Sequence, residues 1–117
     1  MKDIYQLPQG KITIGSCNEK LSIGLLELDV GQALAKHNRP VDEELIQIHG
    51  SCVMKLLEGN KFVKEVTLNE GEKLVIPKNQ FHVHSNSSSE KSITLWKFEG
   101  DIVDVIENIR NSFKKIS

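Results

Sequence analysis

Residues 56–66, LLEGNKFVKEV, give the clearest local indication of the fold. Gly59 and Asn60 stand between two strand-like runs, and a Gly-Asn pair supplies the positive φ that a tight hairpin turn requires. The segment therefore predicts two antiparallel strands joined by a short turn.

Similar short runs, apolar or alternating, continue on both sides of this hairpin, from about residue 11 to residue 98, with Gly, Asn and Pro between them. The predicted strands cover residues 11–15, 21–28, 32–37, 44–49, 51–58, 61–67, 73–76, 81–86 and 92–98. Because no helical pattern separates these runs, the sequence favours an all-β sandwich or barrel over parallel βαβ units.

The pattern changes after Gly100, where apolar residues recur at steps of three and four: Ile102, Val103, Val105, Ile106, Ile109 and Phe113. This period predicts one amphipathic helix over about residues 101–115. Asp101 is expected to be its N-cap, while Lys114 and Lys115 suit the negative end of the helix dipole. We expect the apolar side to pack against the outside of the domain's own sheet; the alternative is that it also contributes to a dimer contact.

The length and charge of the chain limit the classes of function. At 117 residues it fits one domain, residues 1–117, and its formal net charge of -1 gives no positive field to attract nucleic acid or an anionic membrane. No apolar run suits a signal peptide or a membrane span, so we expect a cytoplasmic protein. Cys17 and Cys52 lack metal-binding spacing and are expected to be reduced, structural thiols. No phosphate-binding glycine motif or GxSxG elbow occurs.

Residues 31–50, GQALAKHNRPVDEELIQIHG, contain a first group of chemically active side chains. His37 and Arg39 are two positions apart, so on an extended strand they face the same side. Glu43 follows four positions later, in an acidic run with Asp42 and Glu44.

Residues 71–86, GEKLVIPKNQFHVHSN, contain a second group. His82, His84 and Asn86 alternate along a predicted strand and therefore share one of its faces. A lone strand histidine is more often an ordinary structural residue, but two imidazole-bearing segments together favour a joint site. Imidazoles and a carboxylate, here His37, His82 and Glu43, can form a face that binds a divalent transition metal and leaves positions open for substrate or oxygen.

The first segment resembles the first motif of the cupins, which are small β-barrel proteins. That motif is G(X)5HXH(X)3-4E(X)6G, and Gly31, His37, Glu43 and Gly50 match it at the required spacing. The departure is Arg39, which stands where the family has its second His.

The second segment resembles the second cupin motif, G(X)5PXG(X)2H(X)3N. Gly71, Pro77, His82 and Asn86 match, and Asn79 stands in place of the middle Gly. Asn tolerates the left-handed backbone that this position needs. The resemblance implies a cupin-type double-stranded β-helix, or jelly-roll barrel, over about residues 11–98, followed by the C-terminal amphipathic helix.

The resemblance also implies roles for individual residues. His37, Glu43 and His82 match metal ligands, His84 is a candidate fourth ligand because it shares the face of His82, and Asn86 matches a supporting position. Iron, manganese, nickel and zinc are all admissible metals. The family spacing also allows Glu44 in place of Glu43, although the step to Gly50 favours Glu43. His49 is expected at the rim of the site, and Trp96 in the core.

Arg39 leaves two hypotheses open, because a guanidinium is always charged and repels a cation. In the first, Arg39 clamps a carboxylate or phosphate of a substrate beside the metal. In the second, Arg39 pairs with Glu43 or Asp42 and the cavity holds no metal.

The primary functional hypothesis is therefore a small cupin that binds one divalent metal and a small polar or anionic ligand, as an enzyme of the oxygenase or isomerase type. The alternative is a metal-free, non-catalytic module that binds or senses a small molecule. A third hypothesis is a partner protein that acts through its C-terminal helix. The resemblance also implies a homodimer, and residues 11–15 are the expected edge strand for an exchange between chains.

Overall fold

Alternation of apolar and polar residues along short runs is the pattern of half-buried strands, and most strands of the structure show it. The computed structural model describes residues 3–117. Its strands are β1 (Ile4–Leu7), β2 (Gly10–Cys17), β3 (Leu21–Leu28), β4 (Glu43–His49), β5 (Cys52–Glu58), β6 (Lys61–Leu68), β7 (Lys73–Ile76), β8 (Phe81–Ser85), β9 (Ser92–Glu99) and β10 (Lys114–Lys115). The helix α1 spans Val103–Ser112.

The strands form two antiparallel sheets. The larger has seven strands in the order β10-β1-β2-β3-β9-β4-β7, and the smaller has three in the order β6-β5-β8. Several strands that are neighbours in a sheet are far apart along the chain, as in a jelly roll. Alternate residues of the larger sheet face an interior shared with the smaller sheet. On β9, these inward residues are Ser92, Thr94, Trp96 and Phe98.

The predicted hairpin is confirmed. β5 and β6 pair antiparallel, with Glu58 opposite Lys61, so Gly59 and Asn60 form the turn. Gly59 has φ 61°, the left-handed conformation that favours glycine. Asn79 also has positive φ, at 66°, as expected for the position where the second cupin motif has Gly.

Residues 32–37 do not form the strand that we predicted. The segment touches β8 through isolated bridges at Ala33 and His37 only. Backbone hydrogen bonds join it to β8, but they do not follow the regular spacing of a strand pair. Among them, His37 N–H donates to His82 O at 3.1 Å and Leu34 N–H donates to His84 O at 2.9 Å. The predicted strand is therefore a loop that lies along β8.

The C-terminal segment differs from the prediction at both ends. The residue at the helix N-cap is Ile102, and Asp101 instead accepts a hydrogen bond from Val103 N–H at 3.0 Å. Helix α1 ends at Ser112, and Lys114 and Lys115 form β10, which pairs with β1. A lysine pair suits an exposed edge strand, where charged side chains discourage further pairing.

Helix α1 packs on the inner face of the larger sheet, so the prediction that it covers the outside was wrong. Ile102 and Ile106 are each 1% exposed and belong to the same core cluster as Leu26 and Phe98. The smaller sheet has too few strands to cover seven, and α1 covers the remainder. Since Ile106 is buried inside the domain, at least part of the apolar side is used internally. The hypothesis of a partner protein that acts through this helix stays a prediction.

An ion pair fastens α1 to the start of β1. Arg110 Nη2 lies 2.6 Å from Asp3 Oδ2. Burial raises the pKa of Asp3, but the hydrogen bond and charge of Arg110 outweigh burial and hold this pKa below its usual value. The pair therefore stabilises the fold above the usual carboxyl pKa, and this contribution is lost as the pH falls through the lowered value.

We expect Asp3→Asn to lower the free energy of unfolding by up to about 1 kcal/mol near neutral pH, the upper range for a partly exposed pair. The loss should shrink at acid pH, as the pH falls through the lowered pKa and the wild-type carboxyl becomes protonated as well. Urea unfolding at the two pH values measures both differences. An equal loss at both would show that the charge of Asp3 is not what matters.

The proposed site of strand exchange also needs correction. β2 contains residues 11–15 and lies between β1 and β3 in the larger sheet, so it is not an edge strand. Homodimerisation itself stays a prediction. Light scattering on a chromatographed sample should give twice the mass of one chain, and the mass of one chain would contradict it.

The helix α1 is ten residues long. Within residues 3–117, no helix combines the length and the apolar character that a membrane crossing requires.

Candidate metal centre

Four side chains with metal-binding atoms meet in the interior: His37, Glu43, His82 and His84. One ligand atom from each lies within 4.8 Å of those of the others. Glu43 opens β4 in the larger sheet, His82 and His84 alternate along β8 in the smaller one, and His37 belongs to the loop beside β8. The cluster therefore bridges the two sheets.

The spacing within the cluster suits a common cation. His82 Nε2 lies 3.1 Å from Glu43 Oε1, and His84 Nε2 lies 4.0 Å from the same oxygen. The centroids of the His37 and His82 rings are 4.4 Å apart. Atoms that bind one metal at about 2.1 Å lie roughly 3 to 4 Å from one another, so these distances need only small adjustments.

Backbone carbonyls fix the tautomers of two imidazoles. His37 Nδ1 lies 3.1 Å from Ala35 O, and His82 Nδ1 lies 2.9 Å from Gln80 O. A carbonyl oxygen only accepts hydrogen bonds, so each Nδ1 is the donor and carries the ring proton. In the neutral ring, Nε2 is then left with a lone pair, the arrangement that carbonyl partners of metal-binding histidines enforce.

Glu43 and His82 lie in contact without a hydrogen bond between them. Glu43 is 4% exposed and His82 is 1% exposed. Within residues 3–117, neither Glu43 Oε1 nor His82 Nε2 has a hydrogen-bond partner, although they are 3.1 Å apart. When the ring of His82 carries its proton on Nδ1 alone, two acceptors face each other. A divalent cation between them would satisfy both, so the residues fit a metal.

Two of the imidazoles are held in the neutral form. Burial, followed by the nearby charge of Arg39, lowers the pKa of His37 to about 3. Burial is also the main reason why the pKa of His84 lies well below its usual value. Neutral imidazole is the form that binds metals, so these two side chains need not lose a proton near neutral pH to do so.

Arg39 faces the same cavity but makes none of the ion pairs considered above. Among residues 3–117, its guanidinium has no carboxylate partner within 4.0 Å. Glu43 lies instead against His82, and Asp42 Oδ1 accepts a hydrogen bond from Lys78 N–H at 2.8 Å. Burial lowers the pKa of Arg39, and the charge of Glu43 opposes this shift. The guanidinium is therefore a cation without a partner at the wall of the site.

The structure separates the acidic residues that the sequence left ambiguous. Glu43 points inward, whereas Glu44 points outward on the other face of β4, with its Oε1 3.9 Å from Lys73 Nζ. His49 also lies outside the cluster, at the exposed end of β4, 3.8 Å from Glu70. Glu43, and not Glu44, belongs to the cluster.

Asn86 is buried beyond the end of β8 but does not join the cluster. Its Nδ2 donates to Leu28 O at 3.0 Å and to Glu90 O at 2.8 Å, while its Oδ1 accepts from Ser88 N–H at 3.0 Å. The side chain therefore holds the loop after β8 against the end of β3. This contact network is a supporting one.

A cavity of about 450 Å³ opens beside the cluster. His37, Arg39, Glu43 and His84 contribute to its polar part. Most of the remaining wall is apolar and comes from the inner face of the larger sheet and from α1 with the residue that follows it: Leu26, Trp96, Phe98, Ile106, Ile109 and Phe113. We did not predict this wall, because an apolar strand or helix residue has the same pattern whether it fills a core or lines a cavity.

Comparisons in sequence do not place the chain in a family: no family model matches it. No curated protein matches it either. Solved structures do resemble its fold. A conserved protein of unknown function from Streptococcus pyogenes superposes with TM-score 0.65 and 19% identity over 76% of this chain and 72% of the other. An uncharacterised protein with a double-stranded β-helix domain from Klebsiella pneumoniae gives TM-score 0.67 and 17% identity over 78% and 76%.

A larger protein with the same architecture is the Bacillus subtilis oxalate decarboxylase. It superposes with TM-score 0.74 and 19% identity, over 82% of this chain and 27% of its own length, so this chain corresponds to about a quarter of it. Work on that enzyme describes Mn(II) centres. At these identities the likeness concerns the fold alone: the chain folds as the double-stranded β-helix of cupin proteins, with α1 added across its inner face.

Proposed function

We propose that this protein binds one divalent transition metal through His37, Glu43, His82 and His84, and that the metal and Arg39 together hold a small anionic molecule. One observation carries the proposal above the others. The buried acceptors Glu43 Oε1 and His82 Nε2 face each other at 3.1 Å with no hydrogen bond to satisfy them. Such a pair is costly unless a metal ion or a proton joins it, and the imidazoles of His37 and His84 beside it supply the further donors that a metal ion needs.

The metal would supply Lewis-acid or oxygen-activating chemistry, and iron, manganese, nickel and zinc all suit this donor set. The chain's own residues supply the remainder. Ala35 O and Gln80 O hold the rings of His37 and His82 with Nε2 toward the cluster. Arg39 can bind a carboxylate through two parallel hydrogen bonds and so orient it beside the metal. An oxygenase or isomerase acting on an anionic substrate is the enzyme class that this arrangement favours.

The manganese centres of the oxalate decarboxylase support the proposal by analogy of fold, since that protein shares the double-stranded β-helix. The alternative of a metal-free binding module depended on Arg39 pairing with Glu43 or Asp42. That pairing is not found among residues 3–117, so the metal-binding function is the better supported.

Metal analysis of untagged protein tests the proposal. We expect close to one metal ion per chain after incubation with Mn²⁺ or Zn²⁺ and desalting. His82→Ala should lose it, because the variant lacks a ligand. His49→Ala is the matched control, since His49 is exposed and lies outside the cluster, and it should retain the metal. Wild-type protein that takes up neither manganese nor zinc, and neither iron nor nickel when incubated with them in the same way, would refute the proposal.

A further inference from the structure

We propose that the molecule bound here is an amphipathic carboxylate: an anionic head held by Arg39 and the metal, joined to an aliphatic or aromatic body that lies in the apolar part of the cavity beneath α1. This inference rests on the proposed function and replaces the small polar ligand expected from the sequence.

The cavity is larger than a metal site alone needs. Its volume of about 450 Å³ falls within the range of small-molecule sites, roughly 300 to 1,000 Å³. At ~30 Å³ for each water molecule, it would hold about fifteen waters. A metal with its open coordination positions needs only a few, so the cavity has room for a ligand that extends well beyond the metal.

Much of the cavity wall is apolar. Three of the metal-binding side chains, His37, Glu43 and His84, line one part of the cavity, and the other polar side chains of its wall are Gln9, Lys36, Arg39, Thr94 and Asn108. Leu26, Trp96 and Phe98 of the larger sheet form apolar wall together with Ile106, Ile109 and Phe113 of the C-terminal segment, and this wall begins at Phe98, the cross-strand partner of Glu43. A wholly polar ligand would leave these apolar walls in contact with water, which hydrophobic burial disfavours.

The metal-loaded site would carry more positive than negative charge. A divalent cation and the Arg39 guanidinium face one carboxylate, that of Glu43. The site then carries excess positive charge in a partly buried place, and a buried charge requires a partner. A neutral apolar ligand leaves Arg39 without one, whereas a carboxylate supplies it and matches the guanidinium geometry.

The unbranched carboxylates acetate, butanoate, hexanoate and octanoate test the inference on the manganese-loaded wild-type protein by titration calorimetry. The dissociation constant should fall about three- to fourfold for each methylene group that enters the cavity. Octan-1-ol, which has the body but no charge, should bind at least tenfold more weakly than octanoate. Arg39→Leu should reduce this preference for octanoate.

Substitutions on α1 separate binding in the cavity from binding elsewhere. Ile109→Trp fills the cavity from the helix side and should weaken octanoate binding at least tenfold while leaving acetate binding and metal content unchanged. Asn111→Trp adds the same ring at an exposed position of α1 that does not line the cavity, and it should change neither. The chain-length series on the wild type decides the matter even if Ile109→Trp fails to fold.

The outcomes distinguish this inference from the function on which it rests. Metal uptake with equal affinity for acetate and octanoate would overturn the amphipathic ligand and leave the metal site intact. Metal uptake with no binding of any of the four carboxylates would overturn it as well. Absence of metal uptake would overturn the proposed function itself.

Discussion

Glu43→Gln is expected to abolish metal binding and, at the same time, to raise the free energy of unfolding of the metal-free protein. The first effect follows from the loss of the carboxylate ligand, and we expect the metal affinity to fall at least about a hundredfold. The second follows from the buried contact with His82. An amide N–H in place of Oε1 can donate to the lone pair on His82 Nε2, so that two opposed acceptors become a hydrogen bond.

The gain in stability should be about 1 kcal/mol, the net value of an ordinary buried hydrogen bond. Isothermal titration with Mn²⁺ measures the affinity, and urea unfolding in the presence of a chelator measures the stability. Glu44→Gln is the matched control, because Glu44 neighbours Glu43 on β4 but points outward toward Lys73. The control should retain the metal affinity. A Glu43→Gln variant that binds manganese as the wild type does would remove Glu43 from the ligand set.

Ile106→Ala is expected to lower the free energy of unfolding by about 2 to 5 kcal/mol, the range for large-to-small changes in a core. Ile106 is 1% exposed and packs in the same cluster as the inner face of the larger sheet. Its position beside an existing cavity places the expected loss toward the lower end of this range, since part of its side chain already faces free space.

Urea or thermal unfolding measures the loss, with Asn111→Ala as the control on the exposed part of the same helix. The control should stay within about 0.5 kcal/mol of the wild type, as surface substitutions usually do. If Ile106→Ala were equally mild, the helix would not be docked on the inner face and the cavity would lose one of its walls.

The strands could be predicted where local chemistry leaves few choices. The turn at Gly59 and Asn60 requires positive φ, and the runs around it alternate with the period of a half-buried strand. Residues 32–37 show the limit of this reasoning. Their apolar and polar alternation is strand-like, but a strand also needs a partner at regular register, and here β8 offers only two isolated bridges.

The candidate site could be predicted to a similar extent. The spacing of His37, Glu43 and His82 and their resemblance to the cupin motifs indicated which side chains would meet, and the structure brings them together with His84. The fate of Arg39 could not be predicted, because two acids lay within reach of it in the sequence. Only the inward position of Glu43 and the hydrogen bond from Lys78 N–H to Asp42 show that both acids are otherwise engaged.

The sequence by itself determined the all-β class, the hairpin, the amphipathic character of the last segment and the residues of the candidate metal centre. These properties depend on periodicity, turn chemistry and short motifs, which are local. The tertiary structure alone decided that α1 lies across the inner face, that Lys114 and Lys115 pair with β1, and that an apolar cavity opens beside the metal ligands. The sequence of an amphipathic helix does not predict which face of a sheet the helix will cover. That face is set by the apolar area that the other sheet leaves uncovered.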